Sequence, residues 1–408
     1  MSELQGLQLA DRPKSPSLLQ RTKKLFRVRL VLAMLCSIAL TGIGFFIESA
    51  WLWVAYLPFL FALITTDRGL RGALVAGHFA VIAAISCWGL IALGYTPWVV
   101  IVFGSAASLL LGAIFSVLGV GLASVLLLAI PYFPGNPLLI AGTLYPGTGF
   151  TGLILLVLGT LLVSFWKTSL SRAATLFFLC MPSIFLWDLR DEAAGRYFGI
   201  APEEDRVTAL AGFEIQPIGL DGKQMSRWDM QRALNDLPEG STIVTGENAL
   251  KAQDGAALRA LCRVVRVRDL TLYLGVQGAD GRAQIRRLDQ GTCDDGALVY
   301  TAALGIPGLT GPVLPEVGML NIERIDEAGE AVPDFLACFE AFSIHRWIAL
   351  AAHQASSVIA VSNDSWTDPL PIAALRVKVS AQLARLFQID IAHTNTAAPS
   401  VWLLREGP

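Results

Sequence analysis

Three short segments hold side chains with reactive chemistry: Gly246-Glu247-Asn248, Ala337-Cys338-Phe339-Glu340 and Ser362-Asn363-Asp364-Ser365-Trp366. Each stands at or just beyond the end of an apolar, strand-like run. Together they would put a carboxylate, a thiol and a second carboxylate on strand-to-loop junctions of one domain, which is how a cysteine nucleophile and its base are usually presented. Taken singly, each has an ordinary reading as well. Glu247 fits a solvated loop glutamate, Cys338 a buried structural thiol, and Asn363-Asp364-Ser365-Trp366 an Asx-type turn with a packed tryptophan. If the strand through Phe335–Phe339 continues, its alternation sends Cys338 and Glu340 to one face. A carboxylate there opposes a resting thiolate, but serves as a general base if it takes the proton during attack. Asn363 and Trp366 would wall the pocket. His345 and His353 are eight residues apart, wider than helical ligand pairs, and no Cys or His spacing suggests a metal.

The elements that must position these residues alternate. Strand-like runs at Phe213–Ile218, Thr242–Thr245, Thr271–Val276, Ala283–Leu288, Ala297–Leu304, Gly318–Ile322, Phe335–Phe339, Val358–Val361 and Ile389–His393 are interleaved with helical stretches at Lys223–Leu237, Asp254–Val264, Ala341–His353 and Pro371–Phe387. Such alternation indicates an α/β domain with substantial sheet.

In front of it lies a different kind of chain. The protein is 54% hydrophobic and 16% charged, against about 25% charge in an ordinary soluble domain. The deficit is local: before Asp188 the only acidic residues are Glu3, Asp11, Glu48 and Asp67. A basic N-terminus (1–29) precedes apolar runs at Leu30–Ile47, Trp51–Thr66, Ala73–Gly94, Trp98–Ile130, Gly149–Trp166 and Ala173–Trp187. Residues 30–190 therefore read as a membrane domain and 191–408 as the α/β domain. Trp98–Ile130 is long for one span. Gly112, Gly119 and Gly121 allow a turn between two short spans, and one long tilted helix is the alternative. Basic clusters at the N-terminus, at Arg68/Arg71 and at Lys167/Arg172 share one side if the segment splits. That gives about seven spans, a cytoplasmic N-terminus and an α/β domain outside the cytoplasm. No Asp, Glu, Lys or Arg lies inside a span, which disfavours an ion-coupled transporter. His78 is expected to be satisfied by a neighbouring helix. The net charge of −2 argues against nucleic acid as a partner. Cys262 and Cys293 are candidates for a disulfide in an oxidising compartment.

Glu247, Cys338-Phe339-Glu340 and Asn363-Asp364-Ser365-Trp366, in this order, resemble the signature segments of the nitrilase (carbon–nitrogen hydrolase) superfamily. With a membrane domain in front, the chain resembles most the apolipoprotein N-acyltransferases. His393-Thr394-Asn395-Thr396 is similar to their late Thr-Asn-Thr segment, and Tyr132-Phe133-Pro134-Gly135-Asn136-Pro137 to a Pro/Gly-rich inter-span loop. Length and departures point to a divergent group, the TraB-type conjugal-transfer proteins of Agrobacterium- and Rhizobium-type plasmids. The resemblance implies a four-layer αββα sandwich in a bacterial inner-membrane protein, with the α/β domain in the periplasm. It implies no cofactor, and a Glu–Lys–Cys triad in which the cysteine forms a thioester. A membrane lipid would donate the acyl group. A protein amine would accept it, or a conjugation-apparatus protein would be the partner.

Two departures bear on that expectation. No lysine lies between Lys251 and Lys378; counting back from Val313-Leu314-Pro315 puts Thr310 at the family lysine's position. The loss of one oxyanion donor typically costs about 100- to 1000-fold in rate. Arg282 and Arg286 are other cations that could reach the site. The chain also stops at Pro408, before the family's last strands and closing helix. A retired acyltransferase serving as an assembly scaffold is therefore the competing expectation.

Overall fold

The computed structural model describes residues 18–46, 67–92, 95–127, 141–165, 208–210, 213–217, 227–247, 249–251, 255–279, 281–293, 296–303, 332–363, 372–395 and 401–403, with isolated positions at 57, 58, 61, 65 and 138. The expected elements Gly318–Ile322 and Ala173–Trp187, most of Trp51–Thr66, and the segment Tyr132–Pro137 lie outside the described residues.

Among the described residues, three helices are long and apolar enough to cross a membrane: within α1 (Leu18–Phe46), Leu25–Ile43; within α2 (Arg68–Ala92), Arg68–Ile85; and the whole of α3 (Pro97–Leu126). A short helix α4 (Ala141–Leu144) and an apolar helix α5 (Phe150–Phe165) follow. Asp67 starts α2, its Oδ1 accepting from the N–H groups of Gly69 at 2.8 Å and Leu70 at 3.3 Å. The helices approach through small residues. A Cβ on Gly112 would meet the Gly72 carbonyl and the Ala76 Cβ, both at 2.7 Å, so close backbone contact holds α2 against α3. His78 is buried and its Nδ1 lies 3.1 Å from Thr41 Oγ1 on α1, the neighbouring-helix partner expected for it. Outward faces carry exposed Phe103, Leu110 and Val117, apolar surface that suits lipid.

The long segment is interrupted at one glycine. Gly119 has φ 79 and ψ 169, a non-helical conformation between helical stretches. That backbone is open to glycine without a Cβ penalty. Gly112, also considered as a turn, serves packing instead.

Strands β1 (Thr208–Leu210), β2 (Phe213–Pro217), β3 (Thr242–Val244), β4 (Leu250–Lys251), β5 (Thr271–Gln277), β6 (Ala283–Leu288) and β7 (Ala297–Thr301) form a seven-stranded sheet, ordered β1-β2-β3-β5-β6-β7 with β4 on β5. The β2, β3, β4 and β5 pairings are parallel; β1, β6 and β7 join antiparallel. A second sheet is ordered β11-β10-β9-β8, from β8 (Phe335–Ala337), β9 (Ser357–Ser362), β10 (Asp390–Asn395) and β11 (Val401–Leu403). Here β8, β9 and β10 run parallel and β11 antiparallel. The closing strand β11 was not expected from the sequence.

Strand alternation sorts the side chains into layers. Val244, Tyr273 and Ile285 of the first sheet meet Phe335, Ala337, Ile359, Val361 and Ala392 of the second. The opposite faces, with Ile243, Leu272 and Leu274, pack on Met230 and Leu234 of α6 (Arg227–Asn235) and on Leu261 and Val265 of α7 (Gly255–Val267). Leu336, Val358, Ala360 and Ile391 pack on Trp347 and Leu350 of α8 (Ile344–Ala352) and on Val379, Leu383 and Leu386 of α9 (Ile372–Phe387). The α/β part is thus a four-layer αββα sandwich. Cys262 on α7 is bonded to Cys293, with Cα atoms 5.3 Å apart.

The outer helix layer is also docked on the apolar helices. Ala141, Leu144, Tyr145, Leu153 and Leu156 belong to the same apolar cluster as α8 and α9. The last carbonyls of α9 need partners outside the helix. Those of Arg385 and Leu386 accept from Gly147 N–H at 2.9 Å and Gly149 N–H at 2.8 Å, and the Gln388 side chain donates to the Gly147 carbonyl at 3.1 Å.

Candidate active site

Cys338 does not continue the strand. β8 stops at Ala337, and Cys338–Phe342 form a 3₁₀ turn. Cys338 itself has φ 46, a left-handed backbone that costs a non-glycine residue about 1–2 kcal/mol. A strained residue at a strand-to-helix corner stands clear of the sheet, a backbone arrangement also found at the nucleophile of α/β-hydrolases.

The break overturns the strand-based placement of Glu340. In a tight turn the side chain two residues on swings back instead of sharing a face. Glu340 is fully buried. Its Oε2 accepts from Ala337 N–H at 2.9 Å and from the Tyr300 hydroxyl, its Oε1 from Ala303 N–H at 2.8 Å. Arg346 Nε on α8 lies 3.8 Å from Oε1. Burial, then the neighbouring Glu340 charge, pushes the Tyr300 phenol well above its usual range. Burial alone would lower Arg346, yet the Tyr300 and Glu340 oxygens outweigh it and raise its pKa. Glu340 therefore clamps the Cys338 turn to β7 and α8.

Glu247 arrives from the other sheet. It follows β3 and is 7% exposed, which removes the solvated-loop reading. Its N–H donates to the Ser362 carbonyl at 3.2 Å. Thr394 Oγ1 donates to the Thr245 carbonyl at 3.2 Å, and Ser362 Oγ to the Thr394 carbonyl at 3.3 Å. These bonds stitch the β3 end to the β9 and β10 ends. Ala337 pairs with Val361, so the residue after each, Cys338 and Ser362, sit side by side at the same strand ends. Ser362 is thus the common neighbour of the Cys338 turn and of the Glu247 backbone. Asn363 comes next, at the end of β9. Trp366, Asn248 and Thr310 lie outside the described residues.

Gly275 makes room for this arrangement. A Cβ there would lie 2.1 Å from the Gly246 carbonyl oxygen. Its N–H instead donates to Thr245 Oγ1 at 2.9 Å.

One group was not anticipated. Arg376 on α9 is 1% exposed, and its Nη2 donates to Cys338 Sγ at 3.7 Å. Its Cζ also stacks over the Phe342 ring at 5.7 Å. Nothing in the local sequence marks it, because the contact spans 38 positions. Arg286, a cation considered from the sequence, shares the face of Leu288, which packs in the α6/α7 layer; by parity it points away from the space between the sheets. His393 lies on β10, on the face shared with Ile391, and burial followed by Arg376 lowers its pKa to about 3. It is a neutral neighbour. Among the described residues no three His, Cys, Asp or Glu side chains converge as a metal site would require.

No protein-family model matches the chain, and no curated protein matches it. Among solved structures, it is similar to a mutant of the Nesterenkonia AN1 amidase from the nitrilase superfamily, with 15% identity and a TM-score of 0.33 over 46% of this chain and 79% of that one. A second structure of the amidase from Nesterenkonia sp. AN1, showing Michael addition of acrylamide at its active-site cysteine, matches with 13% identity and a TM-score of 0.31 over 48% of this chain and 92% of that one.

Proposed function

We propose that this is a membrane-anchored acyl-transfer enzyme that works through a Cys338 thioester. The single observation that carries the reading is the left-handed corner at Cys338, clamped by Glu340 and set beside the strand end to which Glu247 is bonded. In the first step the Cys338 thiol gives its proton to the Glu247 carboxylate, and Sγ attacks an acyl ester carbonyl. The S–C bond forms, the ester C–O bond breaks, and the departing alkoxide takes the proton back from Glu247. In the second step an amine attacks the thioester. The N–C bond forms, the S–C bond breaks, and the amine proton returns to sulfur through Glu247. Glu340 is a positioning residue in this scheme.

The docking of α9 on residues 141–149 supports a membrane lipid as acyl donor, since it sets the site beside the apolar helices. The Cys262–Cys293 disulfide supports placing the α/β domain on the oxidising, periplasmic side of a bacterial inner membrane. The sequence resemblance supports a protein amine as acceptor and plasmid conjugal transfer as the process. Thr310, standing where the family has lysine, favours a second reading, a non-catalytic scaffold of the conjugation or envelope machinery.

Intact-mass spectrometry of the detergent-extracted protein, incubated with phospholipid and then with neutral hydroxylamine, separates the two. An acyl-sized adduct that hydroxylamine removes, and that Cys338→Ala lacks, is the expected result. A protein that stays unmodified, together with full function of Cys338→Ala in cells, would leave only the scaffold.

A further inference from the structure

We propose that Arg376 is the cationic partner of the nucleophile: its guanidinium holds negative charge on the Cys338 sulfur. The inference rests on Cys338 being the nucleophile, and it adds a residue that no sequence motif marks.

The geometry is direct. Arg376 Nη2 lies 3.7 Å from Sγ. Arg376 and Cys338 are 1% and 8% exposed, so water screens the pair little. A cation at this range favours thiolate over thiol. The guanidinium is also held in place. Phe342, on the same 3₁₀ turn as Cys338, lies under it, and the C-terminal end of its helix is bonded to Gly147 and Gly149. Arginine stays charged in such a setting, where a buried lysine would readily lose its proton.

Among the described residues, the other charged or titratable groups around the sulfur do not compete for this role. Glu340 on the turn is engaged by Tyr300, Ala303, Ala337 and Arg346. Arg346 on α8 faces Glu340, and Tyr300 on β7 donates to Glu340. His393 on β10 is neutral, with its pKa lowered to about 3 by burial and then by Arg376. Glu247, across the sheet boundary, is the proton acceptor, and its carboxylate makes a compensating cation more necessary. The cation therefore comes from α9, on the outer side of the small sheet.

The test is the pH dependence of Cys338 alkylation by iodoacetamide in full-length, detergent-solubilised protein, read by peptide mass. Alkylation reports thiolate and needs no acyl donor. Wild type should alkylate with a midpoint below the ordinary thiol value of about 8.5. Arg376→Gln should raise that midpoint by a unit or more, about a tenfold slower reaction at pH 7, and Arg376→Lys, whose ammonium readily loses its proton when buried, should restore only part of the loss. Superimposable profiles for wild type and Arg376→Gln would overturn the proposal. So would a wild-type midpoint at or above 8.5, which decides the matter without a variant if Arg376→Gln does not fold. An Arg376-dependent midpoint in a protein that never acquires an acyl group would uphold the ion pair while removing the acyl-transfer reading; a thioester formed with an Arg376-independent midpoint would do the reverse.

Discussion

Replacing Gly275 by alanine should displace the turn that carries Glu247. By strand parity Gly275 faces the space between the sheets, on the side of Tyr273, where the Gly246–Glu247 backbone crosses over β5. An added Cβ would stand 2.1 Å from the Gly246 oxygen, 3.0 Å from its carbonyl carbon and 3.1 Å from the Glu247 Cα. Each neighbour is backbone, so no flexible side chain can swing aside. Restoring an ordinary contact of about 3.5 Å forces a retreat of more than about 1 Å. Overpacking of this kind costs about 1–3 kcal/mol of stability. A catalytic group misplaced by about 1 Å can cost on the order of 100-fold in rate. The assay is the rate at which full-length protein acquires a hydroxylamine-sensitive adduct at Cys338, with iodoacetamide alkylation as the control. Acylation should fall about 100-fold. Alkylation should stay within a few-fold, because Cys338 and Arg376 sit on the other sheet and its helix layer. A folded Gly275→Ala protein that acylates at the wild-type rate would refute a catalytic placement of Glu247.

Two further outcomes follow from the buried polar groups. Glu340→Ala removes the partner of Tyr300, Arg346 and two backbone N–H groups, and breaking a buried charge pair this way should destabilise the domain by about 3–5 kcal/mol; thermal unfolding of Glu340→Ala beside Glu340→Gln, which keeps an acceptor oxygen, measures it. His393 titrates near 6.5 when unfolded and about 3 when folded, so the unfolded chain binds the extra proton first as pH falls. Stability should therefore drop by about 1.4 kcal/mol per pH unit below pH 6.5 from this group. Urea unfolding between pH 6.5 and 5 should show a shallower decline in His393→Gln; identical slopes would remove His393 from the acid response.

Much of the architecture was legible in the sequence, because its signals are local. Short unbroken apolar runs, as in Ile243 and Val244 or Val358 to Val361, mark strands buried on both faces, and their successive residues do divide between the layer between the sheets and the outer helix layers. The apolar helices could likewise be anticipated from short windows of chain, and a neighbouring-helix partner was expected for His78, though packing chose Thr41. The apolar runs that precede the Glu247, Cys338 and Asn363 segments were enough to place them at strand ends. Local patterns could not reveal where β8 would stop. Alternation put Glu340 beside Cys338, but burying a carboxylate requires partners, and those partners, Tyr300, Ala303 and Arg346, come from β7, its following loop and α8. That demand turns the chain at Cys338 and converts Glu340 from a candidate base into a clamp. The cation was hidden for the same reason. Arg376 is an unremarkable residue of an amphipathic stretch until α9 packs on the small sheet and on residues 141–149, bringing its guanidinium to the sulfur. Residue types and order set out which chemistry was available. Which cation reaches the thiol, and which partners take up Glu340, was decided by packing between segments far apart in the chain, where burial leaves each charged group only the partners that the fold supplies.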